Sequence, residues 1–152
     1  MSMIKFGLLV NLNEQEPFRN ICIMADKLGF YSLAMGDHLE WEVFECLTAL
    51  SYSAGITEKI NITQLVLNPH LRNPCLLAKI LATIDKLSKG RLEIGIGAGT
   101  SNPNSYEPYG IRMMSFKERI ERLKEILEIL IGLWNEENFN YEGKYYSLKN
   151  AS

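Results

Sequence analysis

The sequence predicts an α/β fold in which four parallel strands are each followed by a helix and a β-hairpin comes last. Strand-like apolar runs begin near residues 4, 31, 62 and 92, so they start 27, 31 and 30 residues apart. A (β/α)8 barrel of about 250 residues uses about 31 residues for each strand–helix unit. The 152 residues therefore predict a single domain, residues 1–152, built as a (β/α)4 half-barrel of the TIM-barrel type.

The first two helices are indicated by apolar residues at helical spacing that end at a glycine. The first helix is predicted over residues 16–28, and Gly29 ends it. The second helix is predicted over residues 41–54, with Gly55 directly after it. Helices of this length can return the chain to the start of a parallel neighbouring strand.

The third and fourth helices have clear start signals. Asn73 caps the third helix and Pro74 occupies its first position. Ser115 and Glu118 form a capping box for the fourth helix. The residues predicted to form its buried stripe are Phe116, Ile120, Leu123, Leu127, Leu130, Ile131 and Trp134. Alternating residues 139–148 then predict the hairpin.

Composition and charge exclude several classes of function. A net charge of −2 and a pI of about 5.7 give no basic face for nucleic acid. No apolar run approaches the ~18 residues of a membrane span, and no secretory pattern is present at the N-terminus. The three cysteines are far apart and their odd number favours reduced thiols. We therefore expect a cytoplasmic protein that acts on a small molecule and has no metal site, because no cluster has metal-ligand spacing.

A four-stranded half-barrel would leave two strand edges unpaired and would expose the side chains that line a barrel. Either the chain is a piece of a longer protein or two copies complete one another. A two-fold axis would place strand four of one copy beside strand one of the other and close eight strands. We expect a homodimer on this ground. A doubly wound open sheet is less favoured because no GxGxxG follows strand one.

The first candidate site is the segment GDHLEW at residues 36–41, directly after strand two. Polar residues at this end of a barrel strand face the active-site mouth. His38 can exchange a proton near neutral pH, Asp37 can orient it, and Trp41 offers a flat apolar wall. The alternative is that Asp37 caps the second helix and His38 is an ordinary loop residue, which spacing alone favours.

Two further segments, residues 65–69 (LVLNP) and 95–100 (GIGAGT), close strands three and four. Glycines let a backbone approach a ligand closely, although they indicate a tight bend equally well. The second segment is not a phosphate loop, because no Lys-Ser/Thr follows it. His70 is expected to be an ordinary loop histidine.

Several linked motifs resemble the N-terminal half of the luciferase-like monooxygenase family, whose members bind FMN or the deazaflavin F420. The motifs are DH-L, LVLNPHLRNP, SKGRLEIGIGAG and FxYEGKYY, and the resemblance covers residues 3–150. It implies a flavin- or F420-dependent oxidoreductase, or a part of one, that moves a hydride between the cofactor ring and an organic substrate. The Asp-His pair favours F420 over FMN.

The resemblance also assigns roles to residues. His38 is expected to be catalytic, and a non-prolyl cis peptide is expected between Leu65 and Val66, in a bulge against the central ring of the cofactor. Thr100 stands where some F420 enzymes have a catalytic glutamate, and Glu107 lies further along. The residues expected to bind the cofactor are Asp37, Trp41, Leu65, Val66, Asn68, Gly97, Ala98, Gly99 and Thr100.

The late barrel strands, whose loops hold the cofactor phosphate in the family, are absent from these 152 residues. The alternative function is therefore a non-catalytic half-barrel remnant, structural or flavin-binding only, that dimerisation stabilises.

Overall fold

The computed structural model describes residues 4–152, which form two compact units. The first unit contains the chain up to Leu67 together with Thr83–Ile96, and the second contains Asn68–Ala82 together with Gly97–Ser152. The helices are α1 (Gln15–Leu28), α2 (Cys46–Ile56), α3 (Pro74–Ser88) and α4 (Phe116–Asn135). The single-domain assignment stays a prediction.

The sheet of the first unit has four parallel strands in the order β1-β2-β3-β4. They are β1 (Gly7–Leu9), β2 (Ser32–Met35), β3 (Asn61–Leu67) and β4 (Leu92–Ile96). Every strand pairs with its neighbour in sequence, which is the order found in half of a (β/α)8 barrel. The predicted α/β fold of TIM-barrel type is confirmed.

The centre of the first unit lies around β2, which is buried at every position. A strand between two parallel neighbours and under helices is buried on both faces, so it is apolar without alternation. The fully buried side chains of this unit include Phe18, Cys22, Leu33, Met35, Leu50, Ile60 and Ile62. This core fixes the C-terminal end of β2, where the first candidate site begins.

Three predicted helix boundaries are confirmed by capping contacts. Gly29 ends α1 in the left-handed region at φ 78°, and its N–H donates to the carbonyls of Ala25 and Asp26. Asn73 Oδ1 accepts the N–H groups of Cys75 and Leu76 at 2.9 and 3.3 Å. The boundary at α4 follows the same rule, because the Ser115 hydroxyl accepts the N–H of Glu118. These local signals were sufficient to place one end each of α1, α3 and α4.

The predicted second helix was wrong at both ends. Residues 41–45 are not helical, and α2 begins at Cys46, because the N–H of Phe44 bonds to the Leu12 carbonyl instead of a helical one. The cap is Glu45, whose carboxylate accepts the N–H of Thr48 at 2.7 Å. Gly55 lies inside the helix rather than after it.

The predicted buried stripe of the fourth helix was also wrong. Five of its seven residues are exposed, namely Phe116, Ile120, Leu127, Ile131 and Trp134, while the buried face contains Arg119, Ile126, Ile129, Leu130 and Gly132. The Phe139 ring packs where a Cβ on Gly132 would overlap it. The Arg119 guanidinium donates to the Met114 carbonyl at 2.8 Å and so can be buried. These tertiary contacts select a face that apolar periodicity alone does not identify.

The predicted hairpin is confirmed and extends to Ala151. Its antiparallel strands are β5 (Phe139–Glu142) and β6 (Ser147–Ala151). The Glu125 carboxylate of α4 accepts the N–H groups of Lys144, Tyr145 and Tyr146 at 2.8–3.2 Å. One helix side chain therefore holds the turn of the hairpin.

Two charged side chains fix the loop that precedes β3. The Asp26 carboxylate accepts three consecutive N–H groups, from Glu58, Lys59 and Ile60. The Arg91 guanidinium donates to the carbonyls of Ala54, Thr57, Ile60 and Ser88 and to the Thr57 hydroxyl. These bonds lie at the N-terminal end of β3, opposite to the strand ends that carry the candidate site.

The three cysteines are free thiols, as predicted, with Cys22 and Cys46 buried and Cys75 half-buried. Among the helices of residues 4–152, none combines the length and apolar character that crossing a bilayer requires.

Candidate functional site

Asp37, His38 and Trp41 lie together in the β2 loop, which we define as residues 36–45. The rings of His38 and Trp41 are stacked, with centroids 3.8 Å apart and planes 11° from parallel. A Cβ on Gly36 would stand 3.3 Å from Trp41 Cζ3 and 3.4 Å from His38 Cδ2. The absence of a side chain at position 36 therefore leaves room for the stacked pair.

The partner of His38 is Glu40, a residue that the sequence did not single out. His38 Nδ1 lies 3.2 Å from Glu40 Oε1. Asp37 was expected to orient the histidine or to cap the second helix, but its buried carboxylate accepts a hydrogen bond from the Cys46 thiol at 3.2 Å. The cap is made by Glu45, so the interpretation of Asp37 as a helix cap was wrong.

The contact between Asp37 and Cys46 also creates a group that sequence spacing did not reveal. One ligand atom from each of Asp37, Glu45 and Cys46 lies within 4.8 Å of the others, as in sites that hold a metal ion. The Cys46 thiol lies 3.2 Å from Asp37 Oδ1 and 3.8 Å from Glu45 Oε1, and hydrogen bonds from the thiol already account for the closeness of the three groups. The expectation of no metal site stays a prediction.

Leu65 and Val66 form a bulge near the end of β3. The pairing with β4 shifts register between Gln64 and Leu67, and the peptide bond between Leu65 and Val66 is cis, as expected. A Cβ on Gly95 would stand 3.0 Å from the Gln64 carbonyl oxygen and 3.3 Å from Leu65 Cδ1. The side chains of Leu65 and Val66 are 53% and 48% exposed, so the bulge presents an apolar surface.

In the second unit, Asn68 and Thr100 meet at the hydroxyl of Tyr106. This oxygen accepts the Asn68 side-chain N–H and the Thr100 backbone N–H, each at 3.0 Å. Tyr106 is fully buried, and its hydroxyl joins the residue that follows β3 to the turn that follows β4. The sequence did not predict this role of Tyr106; the resemblance singles out its neighbour Glu107 instead, which is exposed.

Gly99 adopts a conformation that suits glycine, with φ 75°. A Cβ there would overlap the Tyr106 hydroxyl and would stand 3.0 Å from Asn68 Oδ1. We define residues 97–106 as the β4 turn, which also contains Gly97, Ala98 and Thr100, all half-buried. The shape of this turn is thus set by the packing of its own backbone against Tyr106 and Asn68.

His70 lies in the connection between β3 and α3, and it is buried there in a 3₁₀ turn of the second unit. Burial, together with the positive charges of Arg122 and Arg119, lowers the pKa of His70 to about 4. A histidine with this pKa is neutral at physiological pH. Its burial beneath the β4 turn identifies it as part of the packing that supports the turn, since a Cβ on Gly99 would stand 3.3 Å from its ring.

The sequence and fold agree with a known family. The profile of the luciferase-like monooxygenase family matches residues 11–152. The F420-dependent glucose-6-phosphate dehydrogenase of Amycolatopsis mediterranei is 32% identical over 98% of this chain and 47% of its own length.

Solved structures give the same result for the fold. The monooxygenase RslO1 from Streptomyces bottropensis has a TM-score of 0.85 and 25% identity, over 97% of this chain and 48% of that protein. An F420-dependent secondary alcohol dehydrogenase, in complex with an F420-acetone adduct, also has a TM-score of 0.85, with 23% identity over 97% and 47% of the two chains. The chain spans about half the length of the curated relatives it matches. With a family match over residues 11–152, the chain belongs to the luciferase-like monooxygenase family.

Proposed function

We propose that this chain supplies part of the active site of an F420-dependent oxidoreductase, with FMN as the alternative cofactor. The observation that carries the proposal is the His38–Trp41 stack at the C-terminal end of a parallel strand. A titratable ring is held there against an apolar ring, in the position where barrel enzymes place their chemistry. The names of the similar proteins, which specify F420, support this choice of cofactor.

The side chains of the first unit suit a flat aromatic cofactor ring. Leu65, Val66 and Trp41 are all about half exposed. Covering such apolar surface with a planar ring is favourable. The full proposed set of cofactor contacts is Asp37, Trp41, Leu65, Val66, Asn68, Gly97, Ala98, Gly99 and Thr100. Those from Asn68 onward are proposed on the resemblance alone.

The bound cofactor would supply hydride chemistry at its ring. The contribution of this chain is to hold and move a proton, and His38 is the residue that we propose for it. Its Nδ1 is directed at Glu40, so Nε2 is the nitrogen that can take a proton from a substrate hydroxyl or return one. Trp41 holds the imidazole plane and keeps water from one of its faces.

Cofactor titration tests the proposal directly. F420 and FMN are added separately to the protein while the fluorescence of the cofactor ring is followed. We expect F420 to bind at tens of micromolar or tighter, and Trp41→Ala to weaken it at least tenfold, which corresponds to about 1.4 kcal/mol. Binding of FMN alone would change the cofactor assignment. If neither cofactor binds, the chain is a non-catalytic remnant and the proposal fails.

His38→Ala then separates chemistry from binding. We expect the variant to bind F420 with unchanged affinity and to reduce it at least a hundredfold more slowly, because a positioned proton acceptor contributes about that much. Glucose 6-phosphate and a secondary alcohol are the substrates to try first. Equal rates in the wild-type protein and the variant would remove His38 from its proposed role.

We also propose that the free edges of the sheet are covered by further strands, supplied by a second copy of this chain. In the described residues β1 pairs only with β2, and β4 pairs only with β3. Phe6 and Leu9 are 70% and 56% exposed at the β1 edge, which a soluble protein normally protects. Light scattering on the purified chain tests this, since a monodisperse monomer would contradict the homodimer.

A further inference from the structure

We propose that Glu40 is a positioning residue that fixes which nitrogen of His38 carries the proton. The inference rests on the proposed role of His38 as the residue that exchanges a proton with the substrate. Glu40 was not predicted from the sequence, and its contact with His38 lies within the β2 loop. Glu40 acts through His38 and is not itself assigned to the reacting atoms.

The stack with Trp41 fixes the plane of the imidazole but not its orientation within that plane. A half-turn about the Cβ–Cγ bond returns the ring to the same plane while it exchanges the positions of Nδ1 and Cδ2. With planes only 11° apart, Trp41 packs equally well against either arrangement. A second contact must therefore select between them.

Glu40 supplies that contact. Its Oε1 lies 3.2 Å from His38 Nδ1, and a half-turn would replace the nitrogen with a carbon that cannot form this hydrogen bond. A carboxylate accepts hydrogen bonds and donates none when ionised, so the partner nitrogen has to carry the proton. The proton consequently resides on Nδ1, and Nε2 keeps its lone pair.

Both side chains of this contact are partly buried. The side chains of His38 and Glu40 are 33% and 21% exposed. A hydrogen bond to a charged group is stronger than one between neutral groups, which favours the Nδ1–H form over the Nε2–H form. Nε2 is then ready to accept a proton without a prior rearrangement.

Asp37, the neighbour that sequence suggested for this task, is engaged elsewhere. Its Oδ1 accepts the Cys46 thiol at 3.2 Å, and its side chain is buried toward α2. The two carboxylates that flank His38 therefore differ in function: Asp37 secures the loop to α2, whereas Glu40 orients the ring. The two substitutions that remove them should have different signatures.

The test measures the tautomer directly. The protein is labelled with ¹⁵N-histidine, and the imidazole nitrogen shifts are recorded above pH 8, where an Nδ1–H ring and an Nε2–H ring give opposite patterns. His70→Asn identifies the signals of the other histidine. We expect wild-type His38 to be mainly Nδ1–H, Glu40→Ala to reverse the preference, and Glu40→Gln to retain it because the amide oxygen still accepts.

Glu42→Ala is the matched control, because Glu42 is an exposed carboxylate in the same loop. It should leave the His38 tautomer unchanged. An unchanged Nδ1–H population in Glu40→Ala would overturn the inference, and so would a wild-type ring that is mainly Nε2–H.

Activity provides the second readout. With F420 and an alcohol substrate, we expect Glu40→Ala to lower kcat about tenfold while the KM and the cofactor affinity change less than twofold, with Glu40→Gln recovering most of the rate. Equal loss in Glu40→Gln and Glu40→Ala would overturn the positioning role. If F420 does not bind at all, the proposed function fails while the tautomer measurement still decides the role of Glu40.

Discussion

The β2 loop and the β4 turn both follow parallel strands, yet they are held by different kinds of contact. In the β2 loop, the groups that meet are close in sequence, such as His38 with Glu40 and Trp41. In the β4 turn, the backbone of Thr100 is held by the fully buried hydroxyl of Tyr106. The β2 loop contains titratable side chains, whereas the backbone conformation of the β4 turn is fixed by the buried Tyr106 hydroxyl.

The two regions therefore differ in what a substitution should change: protonation and binding in the β2 loop, and stability in the β4 turn. Substitutions of His38, Glu40 or Trp41 in the β2 loop should change protonation and binding with little effect on folding, because these side chains are partly exposed. Substitutions around the β4 turn should reduce stability, because they disturb buried polar contacts. Four predictions test this contrast, beginning with the largest expected effect.

Gly99→Ala should be the most disruptive single-methyl change in the β4 turn. The added Cβ would overlap the Tyr106 hydroxyl at a position with φ 75°, so we expect a loss of roughly 2–4 kcal/mol in the free energy of unfolding. Gly110→Ala is the matched control, because Gly110 has φ 70° and nothing within 4 Å of its Cβ position. It should lose only about 1 kcal/mol, and urea unfolding measures both. Equal losses would show that the contact with Tyr106 is unimportant.

His70 should make the second unit sensitive to acid. Burial, Arg122 and Arg119 lower its pKa from 6.5 to about 4 in the folded protein, so the unfolded chain takes up the proton first as pH falls. The contribution of neutral His70 to the free energy of unfolding is complete above pH 6.5. It is lost progressively as the pH falls to about 4, by about 3 kcal/mol in total. The free energy of unfolding of the wild-type protein, relative to that of His70→Leu, should fall by that amount between pH 7.5 and 4. A constant difference across the range would contradict this.

Tyr106→Phe removes one oxygen and leaves two N–H donors without their acceptor. We expect a loss of roughly 1–3 kcal/mol, because the donors on Asn68 and Thr100 stay buried or half-buried. Tyr109→Phe is the control, since Tyr109 is 45% exposed in the same segment. Thermal unfolding compares the two, and a similar shift in both would weaken the role assigned to the buried hydroxyl.

Gly36→Ala should have the smallest effect on stability and a clear effect on the ring stack. Its Cβ would stand 3.3 Å from Trp41 and 3.4 Å from His38, so a small displacement of the rings is sufficient. We expect a change below about 1 kcal/mol and an altered emission of Trp41, measured in a Trp134→Phe background. Gly55→Ala, inside α2 with an open Cβ position, should leave that emission unchanged. A large loss of stability in Gly36→Ala would contradict the expectation that the β2 loop affects stability less than the β4 turn does.

Local signals in the sequence were sufficient for most of the fold. Gly29, Asn73 and Ser115 ended or began helices as expected, because capping depends on residues within one turn of the boundary. The start of α2 was misplaced because Trp41 has the apolar character of a helix face while its ring stacks on His38. Glu45, three residues before Thr48, was the available signal for the true start.

The contacts of the site were less predictable because they depend on packing between distant positions. Nothing near Asp37 in sequence indicates that its carboxylate meets the thiol of Cys46, nine residues later. The buried face of α4 was likewise decided by the Phe139 ring at Gly132. Glu40 could have been found, because a carboxylate two residues from a loop histidine is within reach of its ring.

The hydrogen bonds of Arg91 affect which substitutions this fold can tolerate. One guanidinium uses five hydrogen bonds to tie together the loop before β3 and the end of α3. Because these hydrogen bonds lie at the opposite rim from His38, the contacts that fix the strands are separate from the candidate site. Residues at the rim that carries His38 can therefore be exchanged while the Arg91 hydrogen bonds keep the strands in register.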